Sequence, residues 1–287
     1  IGTLIGTGTN MFFAAYMDGE LQRPMGFAQW MGIALPVVVI FLPVAWFLLT
    51  RVIFRIPAQS DSSTVDDKPT ARVEPWNRGA VMTLVVFVSC ALGWMLIPVI
   101  RQWPPLEDIT DTSIALIAAF ILFVLPARSE DQEFLMDWET AARKVPWGIL
   151  LLIGGGLALA GAVSDFGVGE FIVYQFGDLS GFSNLTLIVF VVALMVFLTE
   201  VSSNVASVAA LTPIFGAVAV SAGMDPVELI IPITVAASCA FMLPAATLTN
   251  SVIMGSGMVT GTQMARAGFV LNIAAIVVVS AWFAILR

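Results

Sequence analysis

The chain has 287 residues with a formal net charge of −8, and it is 59% hydrophobic but only 11% charged. A soluble protein needs about a quarter charged residues to cover its surface, so this composition excludes a water-exposed globule and points to a bilayer. Histidine is absent, which removes the commonest general base and metal ligand. Most of the acids lie in loops, so the net charge says little about partners, and no nucleic-acid partner is expected.

In chain order, the first feature is Thr3-Leu4-Ile5-Gly6-Thr7-Gly8-Thr9-Asn10. Gly, Thr and Asn clustered among apolar residues weaken a helix, so a break within the membrane is predicted. Residue 1 falls inside this motif without a Met and reads as a truncation point. The uncharged run 24–50 follows, long enough to cross a bilayer, which takes about 20 residues. Residues 51–78 form the one long hydrophilic insert and carry Arg51, Arg55, Lys68, Arg72 and Arg78. They read as a linker, cytoplasmic by the positive-inside rule. Cys90 lies in the next apolar run, 79–100, and Cys239 in a later one; both read as small buried apolar residues.

Run 79–100 leads outward to the acidic loop 101–111, and a short span over 112–127 returns Arg128, Arg143 and Lys144 to the inside. Residues 129–146 mix acids with Leu135 and Trp138 and read as a helix lying on the inner surface. Run 147–164 goes outward, with Asp165, Glu170 and Asp178 following outside. Its Gly154-Gly155-Gly156 lacks the Lys and Ser/Thr of a phosphate loop and reads as a surface for close helix packing.

Run 184–199 ends in Glu200-Val201-Ser202-Ser203-Asn204, and a second apolar stretch starts at Val205. Hydrophobic length on both sides holds this knot at membrane depth. Glu200, its only acid, is either a proton carrier or a structural anchor for the tip, and the anchor is preferred. Run 229–265 is too long for one crossing: at about 1.5 Å per residue it would reach about 55 Å, against a core of about 30 Å. It must break, and Met242-Leu243-Pro244-Ala245-Ala246-Thr247-Leu248-Thr249-Asn250 marks the place.

That segment repeats the first motif: a small residue, Thr, any residue, Thr, Asn. Both are followed by Ala-Trp-Phe, at 45–47 and 281–283, the weak internal symmetry of transporters built from repeats. Arg266 falls on the inner side if the two apolar stretches flanking the knot form a re-entrant hairpin rather than two crossings, so the hairpin is preferred. At each break, freed carbonyls suit a hard cation such as Na⁺, and the amides opening the next half-helix suit a carboxylate. The membrane runs offer no Lys or Arg to neutralise an anion.

Thr199-Glu200-Val201-Ser202-Ser203-Asn204-Val205-Ala206, with Ala240-Phe241-Met242-Leu243-Pro244-Ala245-Ala246-Thr247, resembles the divalent anion–sodium symporter family, which includes sodium-dependent dicarboxylate and citrate carriers. The stretch from Leu135-Met136-Asp137-Trp138-Glu139-Thr140 through Trp147-Gly148 to the glycine triplet is similar to the same family. The resemblance covers essentially the whole chain. It implies an all-α polytopic membrane protein of two inverted repeats, each with a re-entrant hairpin tipped by Ser-Asn-Thr and a broken helix. The first repeat is incomplete here.

Ser203-Asn204-Val205 is similar to the second tip, with Val in the Thr place, and Gly6-Thr7 and Ala246-Thr247 look like the two breaks. By that resemblance, Thr199, Ser202, Asn204 and Ala246 contribute to one sodium site and Gly6 to the other. Thr7, Ser203, Asn204, Val205 and Thr247 face the substrate. The resemblance also implies a homodimeric elevator carrier in the plasma or inner membrane. Residues 1–53 and 184–287 would form the transport domain, 54–77 a cytoplasmic linker, and 78–183 a scaffold with an interfacial helix at about 130–146.

Two departures stand out. The family has Pro where Thr9 and Thr249 stand, and its first hairpin lies outside this chain, so the piece alone is not expected to transport. The function expected of the parent is sodium-coupled symport of a small di- or tricarboxylate such as citrate. The alternative is a proton-coupled or uncoupled permease for sulfate or another oxyanion. An intramembrane enzyme lacks its paired Asp or metal-ligand cluster.

Overall fold

The computed structural model describes residues 1–54, 76–129, 132–145, 147–168, 171, 174 and 183–286. Its helices are α1 (Gly8–Gly19), α2 (Phe27–Phe47, continued by the π-helical turn Leu48–Ile53), α3 (Arg78–Ile100), α4 (Asp111–Val124), α5 (Trp138–Lys144) and α6 (Trp147–Asp165). They continue with α7 (Asn184–Val201), α8 (Asn204–Ser221), α9 (Val227–Ala236), α10 (Leu248–Gly255) and α11 (Gly261–Ile285). Among the described residues the one sheet is an antiparallel pair, β1 (Pro126–Ser129) and β2 (Gln132–Phe134). Among the described residues five helices are long and apolar enough to cross a membrane: α2 with its extension, α3, α7, α8 and α11. The chain is an all-α, multi-pass integral membrane protein.

Helix starts follow local chemistry. Short hydroxyl, amide or carboxylate side chains cap them and satisfy orphan amides that lipid could not. Thr7, Asn77, Thr110, Asp137, Ser183, Ser203, Thr247 and Thr260 serve in this way, and Thr110 with Ser113 and Thr260 with Gln263 close reciprocal capping boxes.

The chain divides into two compact units. Residues 26–28 and 57–146 form one of them. Within it α3 packs on α4, where a Cβ on Gly93 would lie 3.1 Å from Ile114. Trp94 lies tilted against Phe27, ring centroids 4.9 Å apart, and donates its indole N–H to the Asp111 carbonyl, while the Asp111 carboxylate accepts the Phe27 amide. The expected short span at 112–127 is the 14-residue α4. It reaches about 21 Å, less than a hydrocarbon core of about 30 Å.

Among the described residues of the expected interfacial helix at about 130–146, the helical ones are Trp138–Lys144. Pro126 opens a strand that turns back as β2, and the helix cannot start before its cap at Asp137, which binds the Thr140 amide at 2.8 Å. The linker bases Arg55, Lys68 and Arg72, and the acids Glu170 and Asp178, lie outside the described residues.

The other unit holds residues 1–25, 29–56 and 147–287. Its core is Phe12, Phe13, Trp30, Ile188, Met195, Leu229, Ile230 and Ile233, all essentially inaccessible. α6 packs on α1 and α8 through the last glycine of the triplet: a Cβ on Gly156 would lie 2.6 Å from Ala209 and 3.0 Å from Phe12. The helix-packing role read for the triplet thus falls on that one glycine, with open space around Gly154 and Gly155. α6 thus packs within this second unit. The two Ala-Trp-Phe strings are used differently. Trp282 donates to the Ile33 carbonyl at 2.9 Å, whereas Trp46 is 61% exposed.

Candidate functional site

The long run 229–265 breaks where expected. α9 stops at Ala236 and α10 starts at Leu248, leaving residues 237–247 without regular helix. Thr247 is the N-cap, extended at φ −143, ψ 154, and its hydroxyl accepts the Asn250 amide. The first break is built the same way. Thr7 caps α1 at φ −146, ψ 154 and accepts the Asn10 amide.

The match extends to the side chains. Asn10 Nδ2 donates to the carbonyls of Ile1 and Thr3, and Asn250 Nδ2 to those of Ala240 and Leu243. A turn closes each break, from the Gly6 amide to Thr3 O at 3.0 Å and from the Ala246 amide to Leu243 O at 3.1 Å. An Asn three residues after the capping Thr of a Thr–x–Thr–Asn start therefore ties unwound carbonyls that lipid would leave unpaired. Asn10 and Asn250 were visible as letters of the motif, but their role as ties was not.

Thr9 and Thr249, at the places where the resemblance led to Pro, also differ from each other. Thr9 is buried and its hydroxyl lies 2.7 Å from that of Thr7 and 3.1 Å from that of Ser238. Ser238 belongs to the unwound segment of the second break, so a hydroxyl pair links the two breaks directly. Thr249 is exposed and reaches only Thr247, at 3.3 Å.

The polar knot is the joint between α7 and α8. The buried Thr199 hydroxyl bonds back to Met195 O at 2.8 Å, so what it can offer a ligand is its backbone carbonyl in the last turn of α7. Ser202 bonds to Leu198 O and to the Ser207 hydroxyl, both at 2.7 Å. Ser203 caps α8. Asn204 opens that helix with a buried Oδ1 that has no hydrogen-bond partner. A buried acceptor left without a donor costs about 1–3 kcal/mol, and a bound cation or donor would recover it.

Val205 brings the knot to the first break: a Cβ on Gly8 would lie 2.7 Å from Val205 Cγ2. Glu200 brings it to the second. Its two oxygens accept the amides of Met242 and Leu243, each at 2.9 Å. Glu200 is thus an anchor, as preferred from sequence, but its target is the helix break rather than the tip.

The candidate residues lie at or beside three half-helix starts, those of α1, α8 and α10. Thr7 and Asn204 are joined through Gly8 and Val205, and Thr199 and Ala246 through Glu200. No hydrogen bond joins Thr7 to Thr247. Half-helix amides carry partial positive charge for an anion, and end carbonyls carry partial negative charge for a cation. The only described bases in this unit are Arg23, Arg51 and Arg266. None lies in the knot or the breaks, and Arg23 pairs with Asp225 at 2.7 Å.

The profile of the family described as the sodium:sulfate symporter transmembrane region matches residues 1–286. The chain is 30% identical over 283 residues to the sodium-dependent dicarboxylate transporter SdcS of Staphylococcus saprophyticus, an alignment covering 97% of this chain and 54% of that protein. It is 32% identical over 283 residues to the protein of the same name from Staphylococcus aureus, with the same two shares. The chain spans about half the length of the curated relatives it matches.

Proposed function

The chain belongs to the sodium:sulfate symporter family, and from that premise we propose that its full-length protein is a sodium-coupled symporter of small di- or tricarboxylates. The observation that carries this is Asn204, whose buried Oδ1 lacks a partner beside the carbonyl end of α7. That acceptor set suits Na⁺. Thr199, Ser202, Asn204 and Ala246 supply one sodium site, and Gly6 belongs to the other. Thr7, Ser203, Asn204, Val205 and Thr247 present half-helix amides and hydroxyls to the carboxylates. Bound Na⁺ supplies the positive charge that the breaks and the knot lack in side chains. Coupling follows, because an anion without the cation meets an uncompensated, low-dielectric site.

The name of the staphylococcal relatives supports a dicarboxylate, and citrate falls in the same proposal. We assign the movement to an elevator in a homodimer, with residues 1–53 and 184–287 as the moving part and 78–183 as scaffold. On that division α6 is the scaffold helix facing the moving part, and Gly156 keeps the contact smooth. The test is uptake of labelled succinate, citrate and sulfate by the full-length protein in proteoliposomes, with Na⁺ or choline outside at fixed pH. Succinate or citrate uptake that requires Na⁺ is expected. Equal uptake in choline would overturn the sodium coupling and favour the permease alternative, and uptake of sulfate alone would overturn the substrate class.

A further inference from the structure

Glu200 does more than close one hydrogen bond. Its side chain is 5% exposed, and besides the amides of Met242 and Leu243 it accepts Asn272 Nδ2 at 2.7 Å. Asn272, on α11, is fully buried, and its Oδ1 accepts the Phe241 amide at 3.3 Å. Three consecutive amides of the second break, 241 to 243, are therefore held by two side chains that also hold each other.

α11 reaches the break because residue 268, one turn before Asn272, is Gly. A Cβ there would lie 2.2 Å from the Phe241 carbonyl oxygen and 2.5 Å from Met242 Cα. No side chain fits between helix and break.

The position of the clamp gives it a role. Glu200 directly follows Thr199 and precedes Ser202 and Asn204. The amides it holds end at Leu243, whose carbonyl accepts the Ala246 amide at 3.1 Å. One carboxylate thus fixes the spacing between the two backbone pieces assigned above to one sodium site. Such a site must be held to about 0.5 Å, and partners behind the ligands commonly set metal affinity.

We infer that Glu200 and Asn272 are positioning residues which set the affinity for Na⁺, without touching the ion or carrying a proton. This rests on the sodium-site reading of Thr199, Ser202, Asn204 and Ala246. Glu200→Gln puts an amide N–H where one of the break amides now donates, so one bond of the clamp is lost.

The experiment measures Na⁺ dependence of succinate uptake by the full-length protein, wild type against Glu200→Gln, with and without Asn272→Asp. Glu200→Gln is expected to raise the Na⁺ half-saturation concentration about tenfold, with the maximal rate at saturating Na⁺ little changed and the shift equal at pH 6 and pH 8. Asn272→Asp added to it returns an acceptor to the pair and recovers part of the shift. A normal Na⁺ curve in Glu200→Gln overturns the inference and leaves the sodium site standing. A shift that follows pH overturns it in favour of a proton role. Wild-type uptake indifferent to Na⁺ overturns the function itself, and the inference with it. Hydrogen exchange of the wild-type peptide 241–243 needs no variant. Protection in Na⁺-free buffer is expected, and fast exchange there would overturn the clamp.

Discussion

Gly8→Ala tests the contact that joins the first break to the knot. The added Cβ would lie 2.7 Å from Val205 Cγ2 and 3.9 Å from Ile149 Cγ2. The first distance is closer than carbon atoms approach, so α1 or the start of α8 must move. Overpacking of this kind costs about 1–3 kcal/mol. If that cost falls on the assembled site, apparent substrate affinity drops by about 5- to 150-fold at 1.4 kcal/mol per factor of ten. The assay is the Michaelis constant for succinate at saturating Na⁺ in the full-length protein, with thermal unfolding in detergent beside it. Val205→Ala removes the opposing methyl groups, so the double variant should recover most of the loss. A Gly8→Ala protein with wild-type affinity, or one that Val205→Ala fails to rescue, would show that the two pieces do not meet as described.

Other expectations follow from single contacts. Asn204→Ala in the full-length protein should abolish Na⁺-driven uptake, and uptake at the normal rate would remove Asn204 from the site. Asn250→Ala strips the donors from two carbonyls, Ala240 and Leu243, held at 3.0 Å each. It should cost about 1–3 kcal/mol, read as a lowered unfolding midpoint, and an unchanged midpoint would mean that water serves those carbonyls equally well. Arg23→Ala breaks an exposed pair with Asp225 and should cost no more than about 1 kcal/mol.

That last effect depends on pH in a stated direction. Partial burial raises the Asp225 carboxyl, but the Val227 amide and Arg23 outweigh it and hold the group below its usual value. Its contribution is therefore complete above the ordinary carboxylate range of about 4 and fades as pH falls through the lowered value. The difference between wild type and Arg23→Ala should be full at pH 7 and shrink toward pH 3. A difference that grew on acidification would contradict the pair.

How much could be read in advance depended on the range of the interaction. The break at 237–247 was legible because hydrophobic length alone forbids a continuous helix from 229 to 265. The pairing of Thr7 with Thr247 was legible because the caps that build both breaks lie within three residues in sequence. Glu200 was legible as an anchor because an acid at membrane depth needs donors. Its donors were not, since Met242, Leu243 and Asn272 lie 42, 43 and 72 residues away. Ser238 was missed for the same reason: its partner Thr9 is 229 residues distant, and a lone Ser in an apolar run carries no local signal. The strand pair at 126–134 was missed because charged residues mixed with apolar ones fit a surface helix equally well until Pro126 and the Asp137 cap are weighed.

On the proposed function, the hydroxyl contact between Thr9 and Ser238 couples the ion and the anion through the two breaks. Either oxygen can be the donor, so the link survives reorientation of its proton, but not separation of the two segments. Whatever stiffens one break limits the freedom of the other, and the second guest to arrive meets a partner already partly ordered. Linkage makes that help mutual, equal in free energy whichever guest comes first. On the proposed symport, each guest should then lower the half-saturation concentration of the other by the same factor.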